Sequence, residues 1–237
     1  MSDRDRAYLQ TPEQWTRFLS ALTHEMRTPL ASLRMLAELL AGAPQGHLGD
    51  QEKRYAENIQ EVVRDLQGLV GDAAEFSQLL GGRAQVRAEE VSLRLLVDQA
   101  EELVRPQAWE RGIALTDSMD PALPKHFRTD LDRLRRILVL ALGAAVSHAG
   151  SEVFFRLDLE EGNLRVLISS DGELFPDSDS QDAFEPFHDG LRAARRRGGR
   201  SLALPLANEL ARALGGTLRA VNRGGRPTLE LTLPAGA

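Results

Sequence analysis

Two long segments near the start of the chain carry apolar residues at alternating three- and four-residue spacing, which is typical of amphipathic helices. The first segment is predicted to open at Thr11-Pro12, a capping residue followed by proline at the first helical position, and to run to about Leu40. The second is predicted to start near Asp50 and to end before Gly81. The apolar positions are Trp15, Leu19, Leu22, Met26, Leu33, Leu36 and Leu40 in the first helix and Tyr55, Ile59, Val62, Leu66, Leu69, Ala73, Phe76 and Leu80 in the second.

Two such helices joined by a short loop predict an antiparallel hairpin with one exposed apolar seam. Pairing two copies into a dimeric four-helix bundle would bury that seam. The alternative is a hairpin folded against the C-terminal part of its own chain. The sequence favours the dimer.

Beyond residue 88 the pattern changes to shorter segments of both kinds. Helices are predicted over residues 92–111, 130–148 and 201–214, a strand over 113–116, and two β-hairpins over 153–169 and 217–233. Antiparallel strands layered against three helices predict an α+β sandwich. The predicted domains are therefore 11–82, a helical hairpin, and 88–235, the sandwich.

Composition excludes several classes of function. The chain has 237 residues, no cysteine and a formal net charge of −6, so disulfides, thiolate metal sites and bulk nucleic-acid binding are not expected. No apolar run is long enough to span a membrane, and we expect a cytoplasmic protein without a membrane partner. The histidines show no metal-ligand spacing, and Trp15 and Trp109 are expected at core or bundle-end positions.

The most distinctive chemistry lies inside the first helix. His24 is followed by Glu25, by Thr28 one turn later, and by Pro29. Positions i and i+4 share a helix face, so His24 and Thr28 border the same surface. An exposed imidazole is a nucleophile near neutral pH, and a neighbouring carboxylate can orient it. This arrangement suits the transfer of a phosphoryl group.

Residues 18–30 resemble the phospho-acceptor box of sensor histidine kinases. The resemblance implies that His24 is phosphorylated, that Glu25 assists transfer, and that Thr28 positions the water that dephosphorylates a response regulator. It also implies that three residues just past the histidine contact the receiver domain: Ala31, Ser32 and Met35.

Residues 88–235 resemble the ATPase domain of the same family, the Bergerat-type sandwich. The similarity rests on residues 132–138, which resemble the lead-in to the family's Asn box, on 183–187, which resemble its Phe box, and on 214–218, which resemble the end of its last helix. The resemblance implies a nucleotide site between these motifs.

Several residues that handle ATP in the family are replaced here. Ala144 stands where the family has the asparagine that holds Mg²⁺, and a methyl group cannot ligate a hard cation. In the loop that binds adenine in the family, Ser170 replaces the carboxylate that reads the base, and Leu174 replaces the second glycine. Shifting the alignment by one residue would place Asp171 at the position of the carboxylate, but Gly172 would then no longer align with the first glycine of the loop.

The phosphate loop is altered too, since Ser201 and Ala203 add a Cβ where the family has glycine. The sequence therefore favours loss of ATP binding and predicts no cofactor, with Mg²⁺ supplied by the partner receiver. The corresponding lid is arginine-rich and fits a solvated loop, a basic dock for an acidic partner, or a phosphate-capturing cluster. Its arginines are Arg192, Arg195, Arg196, Arg197 and Arg200.

Three functions remain open at this point. The favoured one is a phosphotransferase or phosphatase that exchanges a phosphoryl group between His24 and a response-regulator aspartate. The second is a catalytically silent pseudokinase adaptor that binds a response regulator or another histidine kinase. The third is a divergent ATP-dependent histidine kinase.

Overall fold

The fold divides into two units, Met1–Glu75 and Phe76–Ala237, in a computed structural model. The structure describes residues 12–41, 49–80, 86–173, 181–186 and 202–234. The first unit is the predicted helical hairpin, with α1 spanning Pro12–Ala41 and α2 spanning Asp50–Leu80. Proline at the first position of α1 and acidic residues in the first turn of α2 both favour helix initiation at these points.

The hairpin buries few side chains completely. Among the described residues, the buried ones are Phe18 and Leu36 of α1 and Asp72, Ala73 and Phe76 of α2, and the Trp15 ring packs edge-to-face on Phe18 with centroids 5.9 Å apart. Phe18 takes the inward position within the hairpin, whereas its neighbour Leu19, a residue of the predicted seam, is 54% exposed in the single chain. One residue along a helix is a rotation of about 100°, so only one of two adjacent residues can face inward. Apolar side chains left exposed are Leu19, Leu30, Met35, Leu39, Val63 and Val70.

The second unit is the predicted α/β sandwich. Its elements in chain order are β1 (Glu89–Ser92), α3 (Leu93–Glu110), β2 (Ala114–Met119), β3 (His126–Thr129), α4 (Leu131–His148), β4 (Glu152–Glu160), β5 (Asn163–Ser170), a 3-10 turn (Gln181–Phe184), α5 (Ala203–Ala213), β6 (Thr217–Arg223) and β7 (Arg226–Leu233). Five strands form one sheet in the order β2-β4-β5-β7-β6, while β1 and β3 pair separately. Alternate residues of the large sheet point inward and form the core with α3, α4 and α5.

Local sequence signals explain where these elements begin and turn. Ser92 caps α3 by accepting a hydrogen bond from the Leu95 N–H at 3.5 Å, and Asp130 caps α4 through the Arg133 N–H at 3.1 Å. The β4–β5 turn places Glu161 and Gly162 at positive φ, the backbone that a two-residue hairpin needs.

Two features of the sheet differ from the prediction. The pair β2–β4 is parallel, although antiparallel strands alone were expected. Because α4 lies between these strands in the chain, the connection is a crossover, which returns the next strand in the same direction. Strand β3 was not predicted, since its four residues are too few to show a periodicity. No helix in the described ranges combines the length and the apolar character needed to cross a membrane.

Candidate functional site

The phospho-acceptor motif lies in the middle of α1, on a helix that continues past Pro29 to Ala41. His24 and Thr28 are both exposed and share one helix face, whereas Glu25 is half-buried. Pro29 has no N–H to donate to the Glu25 carbonyl, so the helix tolerates one missing backbone bond directly beside the histidine. The structure thus brings together the three residues that the sequence singled out.

The hydroxyl groups along this face are used differently. The Thr23 hydroxyl donates to the Leu19 carbonyl at 2.7 Å, and the Ser32 hydroxyl donates to the Thr28 carbonyl at 3.3 Å. Both are engaged with their own helix backbone, as serine and threonine often are in helices. Among the described residues, the Thr28 hydroxyl makes no such bond. It is therefore available to hold a water molecule next to His24.

The surface beyond the histidine is suited to contact a partner. Ala31 is exposed, Ser32 is half-buried, and Met35 is 56% exposed. At about 100° per residue, Met35 projects from nearly the same face as His24, with Leu39 one turn further on at 46% exposure. This stripe combines an exposed imidazole with exposed apolar side chains.

At the position that the alignment assigns to the family's Mg²⁺ ligand the residue is Ala144, whose methyl side chain offers no oxygen. Ala144 lies on α4, and its carbonyl oxygen is 2.8 Å from His148 Nδ1 within the same helix. One turn earlier, Leu140 is buried at 5% exposure. The residues present here do not fit a hard divalent cation, which requires several oxygen donors.

Asp171, the alternative candidate for the base-reading carboxylate, is engaged elsewhere. It accepts the Ser151 hydroxyl at 2.6 Å and the backbone N–H groups of Gly150, Ser151 and Glu152 at 2.9–3.1 Å. The Ser151 hydroxyl and these amides hold the pKa of Asp171 well below its usual range. The carboxylate therefore fixes the loop between α4 and β4, and the preceding Ser170 is buried at the end of β5.

Gly172 aligns with the first glycine of the family's adenine-binding loop, and its backbone packs closely against the end of α4. A Cβ at this position would lie 2.2 Å from the carbonyl oxygen of His148, far inside van der Waals contact. The unshifted alignment, with Ser170 at the carboxylate position, is the one that matches this packing.

The start of α5, which corresponds to the end of the phosphate loop, is apolar and buried. Leu202, Ala203 and Leu204 are 0%, 6% and 3% exposed, and no side chain caps the helix. In the Phe-box segment, Ala183 and Phe184 are also buried. The other residues predicted to matter in this region lie outside the described residues; they are Leu174, Phe187, Ser201 and the five lid arginines.

Sequence reasoning missed two features of this region. The first is the role of Asp171, because the sequence of residues 170–172 does not show whether this carboxylate faces a ligand or binds a loop. The available signal was the Gly150-Ser151 pair, which is typical of a turn with N–H groups free to donate. The expectation for Trp109 is also wrong, because it is 85% exposed on the last turn of α3.

Comparison with known proteins gives the same assignment for both units. The model of the His Kinase A (phospho-acceptor) domain matches residues 14–82, and that of the histidine kinase-, DNA gyrase B- and HSP90-like ATPases matches residues 129–237. The sensor histidine kinase AruS of Pseudomonas aeruginosa is 30% identical over 218 residues, which cover 89% of this chain and 22% of that protein. The chain spans 22–29% of the length of the first curated relatives that it matches.

Two solved structures extend the similarity. Full-length ShkA in complex with AMPPNP is 28% identical, with a TM-score of 0.66 over 96% of this chain and 47% of that chain. The histidine kinase ThkA in complex with the response regulator protein TrrA is 16% identical, with a TM-score of 0.71 over 92% of this chain and 61% of that one. The chain therefore belongs to the histidine kinase family, with a phospho-acceptor hairpin followed by a domain of the family's ATPase type.

Proposed function

We propose that this chain exchanges a phosphoryl group between His24 and an aspartate of a response-regulator receiver domain, without taking that group from ATP. The observation that carries the proposal is a contrast within the molecule. His24 is exposed beside the Thr28 hydroxyl, which bonds to no described residue, whereas the family's Mg²⁺ position is Ala144 and the alternative carboxylate, Asp171, binds a loop.

In the transfer step, a receiver carboxylate oxygen attacks phosphorus in line with the bond to the His24 ring nitrogen. The O–P bond forms as the N–P bond breaks, and the electron pair returns to the imidazole. The reverse reaction loads His24 from an aspartyl phosphate. Most of the acceleration comes from positioning of the two groups, because phosphoryl transfer needs little covalent assistance from the protein.

Glu25 and Thr28 divide the supporting roles. The half-buried Glu25 is adjacent to His24 and can accept a ring N–H, which orients the imidazole. The Thr28 hydroxyl holds a water whose oxygen attacks the aspartyl phosphate, releasing inorganic phosphate and the free receiver carboxylate. Phosphatase turnover would therefore depend on Thr28 more than phosphoryl transfer does.

A receiver domain is the partner that best fits this site. ThkA, whose fold this chain shares, is complexed with a response regulator. The exposed Met35 and Leu39 provide an apolar contact next to His24. Since the residues at the family's Mg²⁺ position offer no oxygen donors, the metal for this step belongs to the receiver.

The exposed apolar residues of the hairpin also support a homodimer. Val63 and Val70 lie one heptad apart on α2, and Leu30 is exposed on α1. A second hairpin would bury these side chains in a four-helix bundle, the arrangement that gives such helices their stability.

An ATP-dependent kinase is the second candidate, favoured by one observation. ShkA, 28% identical to this chain, is complexed with the nucleotide analogue AMPPNP. Nucleotide binding by this chain would then proceed through a loop geometry different from that of the family.

One experiment separates these functions. In one reaction the chain is incubated with radiolabelled Mg²⁺-ATP alone. In a parallel reaction it is incubated with a receiver domain that carries a radiolabelled phosphoryl group from a small chemical phospho-donor. We expect label on His24 from the receiver and none from ATP, and His24→Ala should remove it. Labelling from ATP would establish the kinase, and labelling from neither source would leave the adaptor.

A further inference from the structure

Helix α3 has two apolar faces, although only one of them packs against the sheet. Its inner face is fully buried and carries Leu93, Leu96, Val97, Ala100, Val104 and Ala108. Outside that face Leu95, Leu103 and Trp109 are 56%, 60% and 85% exposed. Exposed leucines are common singly, but a tryptophan left almost wholly in water on a rigid helix is rare.

These three side chains lie on one stretch of surface. At about 100° per residue, Trp109 is about 40° from Leu95 on one side and Leu103 about 80° from it on the other, so the three residues span about 120° around the helix axis. A rise of about 1.5 Å per residue makes the stretch about 21 Å long. We call Leu95, Leu103 and Trp109 the outer face of α3.

A cavity beside Trp109 adds depth to this face. It has a volume of about 230 Å³ and is lined by Glu101, Arg105, Ala108, Trp109, Ile113 and Leu115. The space is much larger than the share of one water molecule and accepts a side chain. Trp109 is one of the lining residues, and tryptophan is among the residue types that most often anchor protein interfaces.

The charges around the outer face are unbalanced. Arg94 pairs with Asp98 and with Asp117, and Arg105 lies 3.6 Å from Glu101. Both arginines of α3 are therefore engaged in ion pairs. In contrast, Glu102 and Glu110 have no ion-pair partner among the described residues, and both are exposed.

The two free carboxylates lie next to the apolar side chains. Glu102 is adjacent to Leu103 and projects between the positions of Leu95 and Trp109, while Glu110 follows Trp109 directly. An occupant of this face must therefore present an apolar surface flanked by cations. Acidic or neutral partners would leave the carboxylates desolvated without compensation.

We propose that the outer face of α3 is a docking surface for a helix of a partner protein whose apolar stripe is flanked by lysine or arginine. One apolar side chain of that helix enters the cavity beside Trp109, and its cations pair with Glu102 and Glu110. The outer face of α3 shares no residue with the His24 motif or with the nucleotide-type region, so the proposal does not depend on the phosphotransfer function.

Two synthetic amphipathic helices test the proposal directly. They share one leucine stripe, and one peptide is flanked by lysines and the other by glutamates. The protein is the full chain carrying Trp15→Phe, which leaves Trp109 as its single tryptophan because the sequence has two. We expect the fluorescence and the indole N–H resonance of Trp109 to shift saturably with the lysine peptide below about 1 mM, a weak interface of few contacts.

Two sets of variants identify the contacts. Trp109→Ser should weaken binding of the labelled lysine peptide at least 10-fold, about the loss at which an interface residue counts as important. Glu102→Lys with Glu110→Lys should reverse the preference, so that the glutamate peptide binds more tightly. The matched control is Glu89→Lys with Glu90→Lys, which makes the same charge change at exposed positions of β1 and should leave the preference unaltered.

Three outcomes would overturn the proposal. They are no saturable shift of Trp109, equal binding of both peptides, and an unchanged preference after the charge swap. A fourth result would show that a second copy of this chain, and not a basic partner helix, binds the outer face of α3, and it would overturn the proposal as stated. If the chain self-associates through this face, the Trp109 resonance shifts with protein concentration alone, and Trp109→Ser removes that shift.

Discussion

The surroundings of His24 and the nucleotide-type region of the second unit differ in how they treat polar groups. On α1, an imidazole and the Thr28 hydroxyl are exposed and make no hydrogen bond with any described residue. In the second unit, the Asp171 carboxylate is bound by four donors from the loop before β4, and the corresponding metal position is an alanine. Groups that are already paired in the resting fold are costly to redirect to a ligand, whereas free groups are not. This contrast is the reason that we place the proposed phosphoryl transfer on the hairpin.

The largest expected effect is on transfer itself. His24→Ala should reduce receiver-dependent phosphorylation to background, a loss of at least about 10³-fold, because no other group replaces a nucleophile. Thr28→Ala is the companion variant, which should keep phosphorylation near the parent level and slow receiver dephosphorylation at least about 10-fold. Both rates can be followed with radiolabelled receiver. If Thr28→Ala dephosphorylates the receiver as fast as the parent, the assigned role of Thr28 is wrong.

The next effect concerns assembly of the hairpin. Val63→Lys with Val70→Lys should weaken the dimer at least about 100-fold, since burial of each valine contributes roughly 1.5 kcal/mol and a buried lysine costs more. Sedimentation equilibrium measures the change. Val86→Lys is the control, because Val86 has 39% exposure similar to theirs but precedes β1 in the second unit. An unaltered dimer in the double variant would contradict the bundle.

Packing of the second unit can be tested at Gly172. Gly172→Ala should lower the free energy of unfolding by about 2–3 kcal/mol, because the new methyl group collides with a backbone oxygen that has little room to move. Chemical denaturation monitored by circular dichroism gives the value. A neutral result would mean that the loop after β5 is looser than its contact with α4 indicates.

The hydrogen bonds of Asp171 predict a pH dependence. Its pKa is lower in the folded than in the unfolded chain, so its contribution to stability is present above about pH 4 and is lost as the pH falls further. Asp171→Asn should therefore lower the melting temperature at pH 7 and flatten its decline between pH 5 and pH 3. Burial raises the pKa of Glu209 and acts in the opposite direction, so the test uses the difference between variant and parent.

The control for that profile is Glu173→Gln, an exposed carboxylate two residues away with no ion-pair partner among the described residues. It should reproduce the parent profile. A profile for Asp171→Asn that is also parallel to the parent would show that the loop does not depend on the carboxylate.

The smallest effect is expected within α2. Gly71 lies on an exposed helix position where an added Cβ meets nothing within 4 Å. Gly71→Ala should therefore stabilise the hairpin by about 0.5–1 kcal/mol, through the higher helix propensity of alanine. The sign is opposite to that of the same substitution at Gly172. Thermal unfolding of the two alanine variants side by side gives the comparison.

Periodicity and caps in the sequence by themselves determined the two long helices, the hairpins β4–β5 and β6–β7, and the layering of strands against three helices in an α+β fold. These features depend on local backbone preferences and on which side chains face inward. The motif around His24 was identifiable for the same reason, since positions i and i+4 necessarily share a helix face.

Only the tertiary structure decided how groups distant in sequence meet. The parallel pairing of β2 with β4, the short β3, and the capture of Asp171 by the Ser151 loop all depend on contacts across the fold. The exposure of Trp109 belongs here as well, because burial of a side chain is set by what packs over its element and not by its own helix.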